Sequence, residues 1–213
     1  MHSVYDRPMS STEGLRARRR RETVREVHAV ALRMVRERGF DSVTVEAISA
    51  EAGIAPRTFF NYFPTKEAAV VHGPFDLAES DVEAFWARPE VPYPDLLREL
   101  VGLLARNLAQ DPPSRDDLHD VLAVAQTHPG VLAAMLAQLE GFQRRIAGMV
   151  AQRLGIAADD EVANLIAALA LTVLRTGVDR WAASTVTGAA EDPVTHINHA
   201  ADLMQQLFGP PGR

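Results

Sequence analysis

Apolar residues recur along this chain at three- and four-residue spacing, and no alternating pattern of useful strand length is present. Val27, Val30, Ala31, Met34 and Val35 give one apolar face to a helix predicted from Arg16 to Arg38. Gly39 stops it behind Arg36 and Arg38, cations that suit a helix C-terminus. Thr44 is placed to cap a second short helix with Val45, Ile48 and Ala52 on its inner side, and Gly53 ends that helix in a tight turn. Pro56 suits the first position of a third helix, running to about Tyr62 before Pro64 stops it. Thr65 caps a fourth, beginning at Lys66, broken or kinked at Gly73-Pro74 and continuing to about Arg88. Further helices are predicted over 94–110, 115–127, 129–154, 159–184 and 193–208. The expected fold is all-α.

Composition supports helices: alanine and leucine are abundant and aromatic residues make up only 6%. The absence of cysteine excludes disulfides, thiol nucleophiles and cysteine-ligated zinc. The first fifteen residues lack the apolar stretch of a signal peptide. The run from Val162 to Leu174 is shorter than the ~20 residues a membrane span needs. A cytoplasmic protein that does not enter membranes is expected.

The net charge of −6 is unevenly spread. Residues 1–70 carry 12 Arg and Lys against 9 Asp and Glu, while the remainder carries 10 against 19. A basic front joined to an acidic partner domain fits a small nucleic-acid module. Arg16, Arg18, Arg19, Arg20 and Arg21 concentrate the positive charge.

The segment 45–62 has the dimensions of a helix-turn-helix. At 100° per residue, Phe59 and Phe63 fall together and face inward with Val45, Ile48 and Ile54. Arg57, Phe60 and Asn61 lie opposite, flanked by Thr58 and Tyr62. That outer set suits DNA. A guanidinium reaches guanine O6 and N7, an amide pairs with adenine, and hydroxyls suit phosphate oxygens. Lys66, the sole lysine, stands at a helix start where ammonium and free N–H groups could together hold a phosphate.

The run from Thr44 to Glu67, TVEAISAEAGIAPRTFFNYFPTKE, resembles the signature of the TetR family of regulators. The R-T-F-F-N-Y-F segment resembles its actinobacterial group. The resemblance covers residues 16–70 by motif and the rest only by helix count and length. It implies phosphate contacts from Thr44, Thr58, Tyr62 and Lys66, and base-facing positions at Arg57, Phe60 and Asn61. Two positions depart from the family pattern. Ala55 replaces the usual cap serine. Phe60 replaces the usual tyrosine, losing a hydroxyl and gaining the ability to touch a thymine methyl. In TetR-like geometry the arginine run lies beside the DNA backbone. Arg18 and Arg20 are therefore added as contacts from an arm that repulsion keeps partly unwound until DNA binds.

The resemblance also divides the chain into a tail (1–14), a DNA-binding domain (15–70), a ligand-binding and dimerisation domain (71–208) and a second tail (209–213). It implies a homodimer through helices 159–184 and 193–208. The first is apolar nearly all round, and the second carries Ile197, Ala200, Ala201, Met204 and Phe208 on one stripe. Candidate ligand contacts are Met135, Phe142 and Met149 at seven-residue spacing, with Thr172, Arg175, Thr176 and Asp179; Asn164 is a further polar group. Arg175 and Asp179 are four apart and could instead pair with each other. His196 and His199 share a helix face, yet no third ligand is evident, so no metal or other cofactor is expected. His72, His119 and His128 are isolated, and solvation or capping is the expected role.

Nothing in the sequence points to an enzyme. There is no nucleotide-binding loop, nucleophile elbow or carboxylate cluster. The expected function is a repressor of a palindromic operator, released by an unknown small-molecule effector acting through the fourth helix. The alternative is a DNA-binding activator or architectural protein with no effector.

Deleting residues 1–19 spares every predicted core residue, since the first is Val24. The truncated protein is expected to bind DNA more weakly, with a salt slope shallower by about one per lost phosphate contact. Titrations at several salt concentrations measure both. Unchanged affinity and slope would reduce the arginine run to a solubilising helix start.

Overall fold

The computed structural model describes residues 10–71, 73, 76–184 and 192–208, and these hold ten α-helices and one short 3-10 turn. No strand occurs among the described residues. The helices are α1 (Ser10–Arg38), α2 (Val45–Glu51), α3 (Pro56–Phe60), α4 (Lys66–Val70), α5 (Glu79–Trp86), α6 (Tyr93–Gln110), α7 (Arg115–Thr127), α8 (Pro129–Leu154), α9 (Glu161–Ala183) and α10 (Pro193–Phe208). Residues 1–9 and 209–213 of the two expected tails lie outside the described residues, as do His72 and Pro74.

The start of the first helix differs from the sequence expectation. Helix α1 starts at Ser10, so residues 10–14 are helical and the arginine run is wound rather than loose. The helix opens on Ser10, Ser11, Thr12 and Glu13, residue types that favour an N-terminus, which places the arginines beyond the first turn, where the helix dipole acts weakly. Arg18 also pairs with Glu22 one turn later, at 2.8 Å. The fourth helix, expected to break or kink at Gly73-Pro74, is two helices. Helix α4 ends at Val70, residues 76–78 are non-helical, and α5 begins at Glu79.

The chain forms two compact units. The first comprises residues up to 72 together with 120–134, a segment from the middle of the sequence. Its core is the inner face of α1 (Val24, Val27, Val30, Ala31, Met34, Val35) with Ile48, Phe59, Phe63, Ala69 and Val70. Side chains tie its helices. Arg33 donates to Glu51 at 2.6 Å, joining α1 to α2, and His28 Nδ1 donates to the Ala69 carbonyl at 2.8 Å, joining α1 to α4. The turn after α2 needs a left-handed residue, and Gly53 supplies it at φ 66°. The Ile54 amide then donates to the Ser49 carbonyl at 2.9 Å, closing the helix end.

The second unit comprises 73–119 and 135–213. Its core joins Phe85 of α5, Leu96, Leu100 and Leu104 of α6, Phe142, Ile146 and Val150 of α8, Ile166 and Ala170 of α9, and Ile197 of α10. Arg153 of α8, with only 3% of its side chain exposed, pairs with Glu99 of α6 at 2.6 Å and lies over the Phe85 ring. Helix α9 is long and apolar enough by composition to cross a membrane, with mean hydropathy 1.5 in its most apolar window. Its buried face, Ala163, Ile166, Ala167, Ala170, Val173, Gly177 and Trp181, enters the core, and much of its remaining apolar surface, Leu165 included, is not buried.

Helices α9 and α10 meet at Gly177. A Cβ there would stand 2.5 Å from the Ile197 Cα, a backbone atom that cannot yield alone. Replacing a helical glycine by alanine normally stabilises by about 1 kcal/mol through propensity. Overpacking a core costs about 1–3 kcal/mol, and here it outweighs that gain. Gly177→Ala is therefore expected to lower the unfolding midpoint in a thermal melt. Gly148→Ala in α8, where a Cβ would meet nothing within 4 Å, should leave it level or raise it. Equal effects of the two substitutions would refute the close approach.

Candidate nucleic-acid interface

Helix α3 has five residues, too few to hold itself together. It is fixed from beneath. Phe59 has no exposed surface, Phe63 is 3% exposed, and their ring centroids lie 5.7 Å apart. The opposite side carries Arg57, Phe60 and Asn61, all exposed, with Thr58 and Tyr62 half-exposed beside them. Asn61 lies one residue past the helix but keeps helical backbone angles, so its side chain stays in register with Arg57. The inner and outer sets are those the periodicity predicts.

The caps behave as their residue types require. Thr44 Oγ1 accepts from the Ala47 amide at 3.2 Å and opens α2, leaving the hydroxyl proton free to donate outward. Thr65 Oγ1 accepts from Ala68 at 3.2 Å and opens α4. Ala55, where a serine is usual, provides no side-chain cap for α3. On α1, the Arg20 guanidinium sits 5.1 Å from the centre of the Tyr62 ring, bringing a cation of the arginine run to the flank of α3.

Lys66 has protein partners beside the phosphate role expected of it. Its Nζ donates to the carbonyls of Phe40 (3.0 Å) and Val43 (2.9 Å) and lies 4.2 Å from the centre of the Phe40 ring. Two of three ammonium hydrogens are thus spent inside the protein. The carbonyls belong to the turn between α1 and α2, so the side chain staples that turn to α4. No local pattern signals this, because the partners are backbone atoms 23 and 26 residues away.

His128 is likewise not isolated. Its ring packs against Phe40 at a tilt of 53° with centroids 4.7 Å apart, its Nε2 lies 3.6 Å from Asp41 Oδ1, and Nδ1 lies 2.9 Å from Thr127 Oγ1. Arg36 pairs with Asp120. These contacts seat the 120–134 segment on the end of α1, a long-range pairing that helical periodicity cannot show.

The proposed ligand residues are not brought together. Phe142 and Met149 are buried in the core of the second unit, and Met135 is half-buried. Thr172, Arg175, Thr176 and Asp179 are exposed on the side of α9 opposite its core face. Asn164 amide nitrogen donates to the Asp160 carbonyl at 2.9 Å, and the Thr172 hydroxyl donates to Ala168 at 2.9 Å. No ion pair joins Arg175 to Asp179 among the described residues. A surface cleft of about 260 Å³, open solvent included, lies instead on α5 and α6, with Phe85 and Leu103 beneath Arg88, Glu99 and Arg106.

Comparison with known proteins bears on this interface. Residues 28–70 match the family described as "Bacterial regulatory proteins, tetR family", and residues 111–206 match the MftR C-terminal domain. The HTH-type transcriptional regulator TcmR of Streptomyces glaucescens is 30% identical over 152 residues, covering 70% of this chain and 67% of that one. MftR of Mycobacterium tuberculosis, named for regulation of mycofactocin biosynthesis, is 28% identical over 166 residues, covering 77% and 82%. Among solved structures, a protein described as a TetR-family regulator from Syntrophomonas wolfei superposes with a TM-score of 0.54 at 17% identity, covering 88% and 95%. That likeness is one of fold.

Lys66→Met keeps the stem and removes the ammonium. Two half-buried carbonyls then lose their donor, which should cost about 1–3 kcal/mol of stability in the first unit. Amide exchange of α1 and α4 measures it. Unchanged protection with weakened DNA binding would make Lys66 a phosphate contact alone.

Proposed function

The chain belongs to the TetR family of bacterial regulatory proteins, and from that premise we propose that it is a homodimeric, cytoplasmic repressor released from a near-palindromic operator by a small molecule. The observation that carries the DNA-binding part is the division of α3: two phenylalanines buried beneath, and Arg57, Phe60 and Asn61 turned out together. Arg57 supplies two donors for guanine O6 and N7, and the Asn61 amide supplies one donor and one acceptor for adenine N7 and N6. Thr44, Thr58, Tyr62, Arg18 and Arg20 supply phosphate contacts, with one ammonium hydrogen of Lys66 to spare. The R-T-F-F-N-Y-F segment is assigned to the actinobacterial group, a reading supported by relatives from Streptomyces and Mycobacterium.

Dimerisation through α9 and α10 is supported by what those helices leave uncovered. Leu165 is 61% exposed and Leu207 76%, with Leu203 also exposed. Apolar surface of this kind on neighbouring helices marks an association face. Thr172, Arg175, Thr176 and Asp179 share the outward side of α9 and are reassigned from ligand contacts to this face. A two-fold dimer presents two copies of α3 to successive major grooves, with half-sites ~34–36 Å apart. Residues 15–70 serve as the DNA-binding domain and 71–208 as the effector and dimer domain, with 120–134 seated on the former. Effector and operator binding then oppose each other by ~1–3 kcal/mol.

Duplexes selected from random DNA by the wild-type protein test the reading. Arg57→Ala should lose ~1–3 kcal/mol on the selected duplex and much less on random DNA, read by fluorescence anisotropy. Equal losses on both would remove Arg57 from base recognition. A monomer at micromolar concentration in sedimentation would remove the palindrome.

A further inference from the structure

The segment from Phe59 to Phe63 holds three phenylalanines, and the core uses two. Phe59 and Phe63 are buried, whereas Phe60 is 56% exposed between the polar side chains of Arg57 and Asn61. Its ring stands edge-on to Phe59, with centroids 5.6 Å apart and planes at 84°. Because Phe59 has no freedom in the core, it braces Phe60 in an outward position. Leaving an aromatic ring in water does nothing for folding. Its use must come from what covers it.

A phenyl ring offers no donor or acceptor, so it cannot hold a phosphate or pair with a polar base edge. The one apolar group that Watson–Crick pairs present in the major groove is the C5 methyl of thymine. A cytosine methylated at C5 presents the same group at the same ring position. We propose that Phe60 is a reader of the pyrimidine C5-methyl group, so that one operator position is recognised by its methyl and accepts either thymine or 5-methylcytosine. The proposal rests on α3 lying in the major groove. It makes operator affinity sensitive to cytosine methylation at that position.

The test uses the full-length protein and a duplex selected from random DNA. Each dT is replaced in turn by dU, which removes only the methyl. One position per half-site should then bind roughly three- to tenfold more weakly, the effect of uncovering one methyl group. At that position a dC·dG pair should bind poorly, and 5-methyl-dC·dG should recover most of the loss. Phe60→Ala, folded by circular dichroism, should bind dT and dU duplexes alike and ignore cytosine methylation. Phe60→Leu should keep part of the discrimination. The proposal is overturned if no dU substitution weakens binding, or if Phe60→Ala keeps the wild-type response to dU. It is also overturned if 5-methyl-dC binds no better than dC. Failure to enrich any duplex would instead reject the DNA-binding reading.

Discussion

A recognition helix of five residues has no stability of its own, and the first unit is organised around that deficit. Helix nucleation fixes several residues for each hydrogen bond, so α3 exists because Phe59 and Phe63 are buried beneath it. Helix α2, whose Ile48 is fully buried, packs against α3 and in turn against α1. These helices need their turns fixed. Gly53, the Thr44 cap and the Lys66 staple each hold one corner. The outer face is thereby freed from any packing duty and can be chosen for what it touches.

Charge is used twice in this unit. Several cations of this unit have protein partners: Arg33 with Glu51, Arg36 with Asp120, Arg18 with Glu22, and Lys66 with two carbonyls. The exposed pairs contribute little stability and compete weakly with phosphate. Lys66 is different, since its ammonium is half-buried and bonds two backbone carbonyls. A basic residue near DNA can thus be part of the scaffold that presents the others.

The fold was largely legible because helices announce themselves through period, caps and stops. The bounds of α6, α7, α8 and α10 follow the sequence reading within a residue, and the two faces of α3 follow from a wheel alone. Contacts between distant segments were not legible. Phe40 meets both Lys66 and His128, residues that no local rule connects. Which face of α9 its polar groups occupy was not legible either: the small residues Ala163, Ala167, Ala170 and Gly177 pack inward, and Thr172, Arg175, Thr176 and Asp179 lie opposite.

Lys66 being the only lysine gives the chain a single internal site for lysine-specific proteolysis, at the bond before Glu67. A cut there would separate α1, α2 and α3 from everything that follows. A protease must take the ammonium into its own pocket, and in the folded state that group is held by the carbonyls of Phe40 and Val43. The bond also lies in the first turn of α4, where backbone must unwind before cleavage. The rate of this one cut therefore follows the transient opening of a single corner of the molecule. The staple that holds the recognition helix in place is also a built-in probe of how often it lets go.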